Sequence, residues 1–225
     1  MRHLELFAGI GGFRRAMDLL TQDHIMDFHC IGYSEIDAKA VKTYCANYHP
    51  EVDGELAMGD IVEFTSNKNN MDNLPQFDLV TGGFPCQTFS MMGKQAGFNE
   101  DRGQMFFHII DILAVKMPRY VLLENVKNLK SHDKGRTFAR IKQELEALGY
   151  QVFTDIFNTA QFHLPQTRNR LLIFATTEPV PADFEVQFTC DNIAVLFDQV
   201  YQDLGTYHYQ SVNDILSLDV DQKYF

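Results

Sequence analysis

No apolar run among the 225 residues approaches the ~20 positions that a membrane-spanning helix requires, so no membrane role is expected. The opening MRHLELFAGIGG lacks an apolar stretch ending in a small-residue cleavage site, so no signal peptide is expected and the protein is expected to be cytoplasmic. Cysteine is scarce. Cys30, Cys45, Cys86 and Cys190 lie far apart with no Cys-x-x-Cys pair, which argues against a disulfide framework and against a metal site. There is no internal repeat and no low-complexity tract. Positive charge is the minority: 19 Lys and Arg stand against 30 Asp and Glu, a net charge of -11 that taken alone speaks against nucleic-acid binding.

The distribution of charge says more than its sum. Residues 1–80 carry 6 basic and 13 acidic side chains, residues 81–176 carry 12 and 8, and residues 177–225 carry 1 and 9. Lys127, Lys130, Lys134, Arg136, Arg140 and Lys142 crowd into the middle section, where on their own they read as a solvated helix face. With 45% hydrophobic and 22% charged residues and a mean hydropathy of -0.20, the composition is that of a globular chain. Its length suits one domain, or one domain with an appendage.

Strand and helix patterns alternate along the chain. A short apolar run over residues 4–7 enters Ala8-Gly9-Ile10-Gly11-Gly12, followed by Phe13, Ala16, Met17 and Leu20 at helical spacing. Residues 29–34 read as a strand, and Ala38, Val41, Cys45 and Tyr48 as a helix capped by Asp37. Residues 77–81 read as a strand running into a glycine turn, Gly82-Gly83, and then Phe84-Pro85-Cys86. A helix over about 102–117, a strand over 120–123, a helix marked by Phe138, Ile141, Leu145 and Leu148 and stopped by Gly149, and strands over 151–157 and 170–175 complete the pattern. Such alternation predicts an α/β sheet with helices on both faces and its site at the carboxyl ends of strands. Residues 177–225, acidic and with Pro179 and Pro181, read as an extension without a core of its own. The expected division is a cofactor-binding and catalytic domain over 1–176 and an extension over 177–225.

Several residues then stand where chemistry is done. The glycine turn after the first strand is where a nucleotide-like ligand meets backbone amides at a helix N-terminus. Arg14 occupies the position where a dinucleotide fingerprint wants a third glycine, which disfavours a nicotinamide dehydrogenase. Glu35, at the end of the second strand, stands where a carboxylate can bond ribose hydroxyls, although a surface glutamate would look the same. Cys86 follows a strand, two glycines and Pro85, a place from which a thiol can project into a cleft and act as a nucleophile. Cys30 and Cys45 sit inside apolar patterns and read as structural. Glu124 directly follows an apolar strand. Apolar surroundings can raise such a carboxyl's pKa and make it an acid, and a helix-capping role fits the position equally well. In Gln166-Thr167-Arg168-Asn169-Arg170, one arginine could serve a site and the other a phosphate or carboxylate.

In order along the chain, Phe7-Ala8-Gly9-Ile10-Gly11-Gly12-Phe13, Glu35-Ile36, Gly59-Asp60-Ile61, Gly83-Phe84-Pro85-Cys86-Gln87 with Ser90, Asp101-Arg102-Gly103, Glu124-Asn125-Val126 and residues 166–170 form a series. By that series, over about residues 4–175, the sequence resembles the cytosine carbon-5 DNA methyltransferases of bacterial restriction-modification systems. The resemblance implies a Rossmann-like sheet, mostly parallel with one antiparallel strand, and S-adenosyl-L-methionine as cofactor. It implies that Phe7 lies against the adenine, that Gly9, Gly11 and Gly12 admit the cofactor, that Glu35 holds the ribose and Ile36 packs on the base, and that Asp60 and Ile61 complete the pocket. Double-stranded DNA would be the substrate, with the target cytosine flipped from the duplex. Cys86 would attack carbon 6, Glu124 would bond N3, and Arg170, assisted by Arg168, would hold the carbonyl at position 2. This division of work is what the chemistry asks for, since carbon 5 of cytosine becomes nucleophilic only after addition at carbon 6.

The resemblance stops at the C-terminal side. The family's target-recognition domain, its basic-Thr-Glu motif and its final asparagine motif are not found, so a second, basic polypeptide carrying them is expected to complete the enzyme. An RNA cytosine methyltransferase and a non-catalytic cofactor-binding module remain open alternatives.

Overall fold

The computed structural model describes residues 1–85 and 105–204. Cys86, Gln87, Ser90 and Asp101-Arg102-Gly103 therefore lie outside the described residues, as does the start of the helix expected from residue 102. Among the described residues no helix is long and apolar enough to cross a membrane.

The amino-terminal half runs β1 (Arg2–Leu6), α1 (Gly12–Gln22), β2 (His29–Ser34), α2 (Ala38–Tyr48), α3 (Pro50–Asp53), β3 (Leu56–Ala57), α4 (Ile61–Ser66), α5 (Lys68–Asn73) and β4 (Leu79–Gly83). It is followed by α6 (Met105–Lys116), β5 (Tyr120–Val126), α7 (Arg136–Ala147), β6 (Gln151–Asn158), β7 (Asn169–Thr176), α8 (Phe184–Gln187) and α9 (Cys190–Leu204). The strands form one sheet in the order β3-β2-β1-β4-β5-β7-β6. β7 alone runs against its neighbours, pairing antiparallel with β5 and β6, while the pairs β1–β2, β1–β4, β2–β3 and β4–β5 are parallel. This is the mostly parallel sheet with one reversed strand that the resemblance implied.

The core follows from the pattern. Leu4, Leu6, Val80, Val121, Leu123, Leu171 and Ile173 are fully buried along the central strands. α6 is apolar on nearly every side and buries Phe106, Ile109, Ile112 and Leu113. Asp37 caps α2 as expected, its carboxylate accepting the Lys39 and Ala40 amides, and Gly149 closes α7 in a left-handed conformation at φ 91. α8 and α9 lie against the far edge through aromatic contacts: Phe184 meets Phe153 at 4.7 Å, Phe188 meets Phe174 at 5.6 Å, and Phe197 meets Phe162 at 5.4 Å between centroids.

One expectation fails in detail. Gly82 and Gly83 are the last residues of β4 rather than a turn after it, and Phe77 precedes the strand. They serve close approach. A Cβ on Gly82 would stand 3.0 Å from the Leu6 carbonyl oxygen of β1, and one on Gly83 would stand 3.1 Å from Glu124 Oε2 of β5.

β1 and β4 are neighbours in the sheet, yet the chain leaves β1 towards β2 and leaves β4 towards β5. The carboxyl ends of β1 and β4 thus flank the point where the winding reverses, which is where open α/β sheets bind ligands.

Candidate active site

The turn after β1 is held on three sides. Phe7 takes a left-handed conformation (φ 54), as do Gly9 (φ 57) and Gly11 (φ 90), which bends the chain sharply from strand into α1. Glu35, just beyond β2, accepts the Gly9 amide on Oε2 and the Ile36 and Asp37 amides on Oε1, each at 2.8 Å. Three of about four lone-pair directions of this carboxylate are filled, leaving one for a ligand donor. The Ala8 amide bonds Ser34, the Gly11 amide bonds Ala8, and the Phe13 and Arg14 amides bond Glu5. Ile10 and Gly12 keep their N–H groups free of protein acceptors among the described residues. Two free donors at the start of an 11-residue helix suit an anionic or carbonyl group.

The apolar residues here divide. Ile36 is 74% exposed and Ile10 62%, whereas Ile61 is buried in the core beneath α4. Asp60 caps α4 by accepting the Val62 amide at 2.8 Å. Glu35, Ile36, Phe7 and the glycine turn come together, Asp60 borders them from the α4 side, and the Ile61 side chain is buried in the core cluster against which Phe7 packs.

Beneath the turn lies a buried carboxyl that no motif marks. Glu5 is 1% exposed, and burial pushes its pKa up from 4.5 to about 7 against the lowering effect of the two amides and of Arg14. Arg14 pairs with Glu55 and, at 2.9 Å, with Asp18. A charged residue at an interior strand position was the signal available in the sequence.

The second half of the site forms across β4, β5 and β7. Gly83 lies in register with Glu124, and Val126 with Arg170. Because β7 is antiparallel, its first residues return to the same sheet edge as the last residues of β4 and β5. Arg170 Nε stands 2.5 Å from Glu124 Oε1, close enough for an ion pair, though the N–H lacks the alignment of a hydrogen bond. The apolar setting expected around Glu124 is therefore replaced by a guanidinium. Buried Asn125 donates from Nδ2 to the Phe84 carbonyl at 2.8 Å and accepts the Val126 amide, tying β5 to the main chain that leads into Pro85 and Cys86.

A cleft of about 400 Å³ opens beside this pair, lined by residues 126–128 and 166–170. Thr159 braces its floor, donating from its hydroxyl to the Gln166 carbonyl at 2.5 Å and receiving the Arg168 amide at 3.1 Å. The Arg168 side chain is exposed and makes no ion pair among the described residues. The basic run divides likewise. Arg136 pairs with Asp133, Arg140 with Glu144 and Lys142 with Glu146, a solvated surface as expected, while Lys127 lines the cleft.

Comparison with known proteins agrees with this architecture. Residues 1–224 match the family model described as C-5 cytosine-specific DNA methylase. The type II methyltransferase M1.ScrFI of Lactococcus lactis subsp. cremoris is 44% identical over 170 residues, covering 76% of the chain and 40% of that protein. M.BanI of Aneurinibacillus aneurinilyticus is 37% identical over 233 residues, covering all of the chain and 50% of that protein. The chain thus spans half or less of the length of these relatives. Among solved structures, the S. pombe Dnmt2 methyltransferase superposes with a TM-score of 0.68 at 20% identity, over all of this chain and 62% of its own, a likeness of fold.

Proposed function

The chain belongs to the C-5 cytosine-specific DNA methylase family, and from that premise we propose that it transfers a methyl group from S-adenosyl-L-methionine to carbon 5 of cytosine in double-stranded DNA. One observation supports this above others: the main chain leading to Cys86, the Glu124 carboxylate and the Arg170 guanidinium converge at one end of the sheet, on the three strands next in order after the one that carries the glycine turn.

The donor set at that turn fits the cofactor. The free Ile10 and Gly12 amides suit its carboxylate, the remaining acceptor direction on Glu35 suits a ribose hydroxyl, and exposed Ile36 with Phe7 suits the faces of an adenine bordered by Asp60. Gly9, Gly11 and Gly12 keep side chains out of the turn, and Ile61 would contribute through its main chain. When bound, S-adenosyl-L-methionine supplies an electrophilic methyl group.

The chain's own residues do the rest. The Cys86 thiolate adds to carbon 6 of the flipped cytosine, forming a carbon–sulfur bond and pushing an electron pair toward N3 and the carbonyl at position 2. Neutral N3 is an acceptor, so Glu124 can bond it only through a proton, and a proton held there offsets the charge that addition builds. Arg170 donates to the carbonyl oxygen, with Arg168 assisting, which requires the Glu124–Arg170 pair to open or share when the base enters. Addition makes carbon 5 the nucleophile that would take the methyl group, the cofactor leaving as its neutral thioether; loss of the carbon 5 proton to a base and expulsion of the Cys86 thiolate then restore the double bond between carbons 5 and 6.

The finer reading is that sequence recognition comes from outside residues 1–225, on a second, basic polypeptide, and that catalysis takes place in the cytoplasm. It rests on the excess of cations being confined to the middle of the chain and on the exposed Ile10 beside the cofactor turn, an apolar side chain that a partner would cover. The test is transfer of labelled methyl to DNA by the purified chain, alone and with cell extract, beside Cys86→Ala, with transfer RNA as competitor. Label that reaches DNA only with extract and only with Cys86 supports the proposal. Label in transfer RNA instead, or cofactor binding with no transfer under any condition, would overturn it. Ordinary turnover by the chain alone would remove the second polypeptide.

A further inference from the structure

We infer that the Tyr48 hydroxyl is a positioning group for the carboxylate end of S-adenosyl-L-methionine, acting through the Gly11–Gly12 peptide; the inference rests on the cofactor reading above. Tyr48 is the last residue of α2, and its hydroxyl donates to the Gly11 carbonyl at 2.8 Å. Its ring occupies the space under Gly11: a Cβ built there would stand 2.2 Å from the ring, on a backbone already at φ 90. The ring is itself braced. Tyr44 packs on it at 4.8 Å and stacks on Tyr33 at 4.2 Å, and the Arg14 guanidinium stands 5.2 Å from its centroid.

The Gly11 carbonyl and the Gly12 N–H belong to one planar trans peptide, so they point in opposite directions. Holding the oxygen against Tyr48 on the protein side turns the N–H toward the open side. The same oxygen accepts the Arg15 amide at 2.9 Å, which fills its second lone pair. Hydrogen bonds to a carbonyl polarise its peptide and strengthen the N–H as a donor. The Gly12 N–H, free of protein acceptors among the described residues, is thus aimed and strengthened for an anion at the start of α1. A phenylalanine would fill the same space. The hydroxyl adds only this bond.

Tyr48→Phe separates the two contributions when binding is compared for S-adenosyl-L-methionine and for 5′-methylthioadenosine, which keeps the adenosine and thioether but lacks the amino-acid carboxylate. The variant should bind S-adenosyl-L-methionine about fivefold more weakly, bind 5′-methylthioadenosine within a factor of two of the parent, and melt at nearly the parent temperature. Equal weakening of both ligands would assign Tyr48 a general structural role and overturn the inference, as would no weakening of either. In the unmodified chain, the Gly12 amide proton resonance should move downfield with S-adenosyl-L-methionine and not with 5′-methylthioadenosine, and its failure to respond also overturns it. A parent chain that binds neither ligand overturns the cofactor reading itself, an outcome distinct from a parent that binds both and a variant that loses nothing.

Discussion

Replacing Glu5 with glutamine should change how stability depends on pH. Glu5 lies 1% exposed in β1 and accepts the Phe13 and Arg14 amides at 3.1 and 3.2 Å. Burial lifts its pKa from 4.5 to about 7, Glu55 adds to the rise, and the two amides and Arg14 offset part of it. The folded chain therefore keeps this proton to about pH 7, whereas the unfolded chain releases it near 4.5. A raised carboxyl contributes stability that is complete below 4.5, declines as the pH rises, and is gone above about 7. The interval corresponds to about 3 kcal/mol. Glutamine keeps a carbonyl acceptor for one of the two amides and turns a donor toward the other, a loss that does not vary with pH, and it does not titrate in this range. Urea unfolding of both proteins at steps from pH 4.5 to 8 isolates the effect, since every other titrating group is shared. The variant should gain about 3 kcal/mol on the parent between pH 4.5 and 7 and gain nothing more above it. A difference that stays constant across that interval, or that moves the other way, would refute the assignment of a buried, protonated Glu5 beneath the turn.

The remaining expectations concern the site itself. Glu35→Ala removes the acceptor of three amides that join the loops after β1 and β2, and calorimetry should show at least tenfold weaker cofactor binding; unchanged affinity removes Glu35 from the site. Asn125→Ala breaks a buried bond worth about 1–3 kcal/mol to the main chain before Cys86, so methyl transfer in the completed enzyme should fall at least tenfold while cofactor affinity holds; loss of both together would mean that the fold, not the approach of the thiol, was damaged. DNA carrying 5-fluorocytosine at the target should become covalently attached to the completed enzyme, because fluorine blocks the final elimination, and Cys86→Ala should abolish the adduct. An adduct that survives this change means the nucleophile is misassigned.

The parts of the fold legible in the sequence are those whose signals are local. β1, β2, β6 and β7 came from apolar runs, α2 from its period and its Asp37 cap, and the end of α7 from Gly149. Residues 49–76 carry no such signal, because α3, β3, α4 and α5 are two to six residues long, too short for a period to show. The resemblance sets Glu124 and Arg170 on one base, but their direct ion pair is illegible in any local pattern. The two residues are far apart in the chain and meet only because β7 reverses direction and pairs Val126 with Arg170, a matter of register that no local pattern encodes. In the sequence Tyr48 is simply one apolar position of a helix, since nothing in its neighbourhood announces that its hydroxyl reaches back to Gly11.

Glycine shows most clearly where a residue type is legible and its reason is not. In the sequence Gly9 and Gly11 read as turn residues, and their left-handed backbone agrees. Gly82 and Gly83 read the same way, yet they are strand residues with no positive φ. Their requirement comes from the neighbours: β4 runs between β1 and β5, and at its end it passes the Leu6 carbonyl on one side and the Glu124 carboxylate on the other. Gly82 lies against the strand that leads into the cofactor turn, and Gly83 against the carboxylate proposed to meet the base. The two halves of the site therefore lie on either side of β4, whose last two residues, Gly82 and Gly83, place no side chain between them. A methyl transfer that needs a cofactor on one side and a flipped base on the other requires the space over β4 to stay open, and at this end of the sheet glycine is the residue that leaves it so.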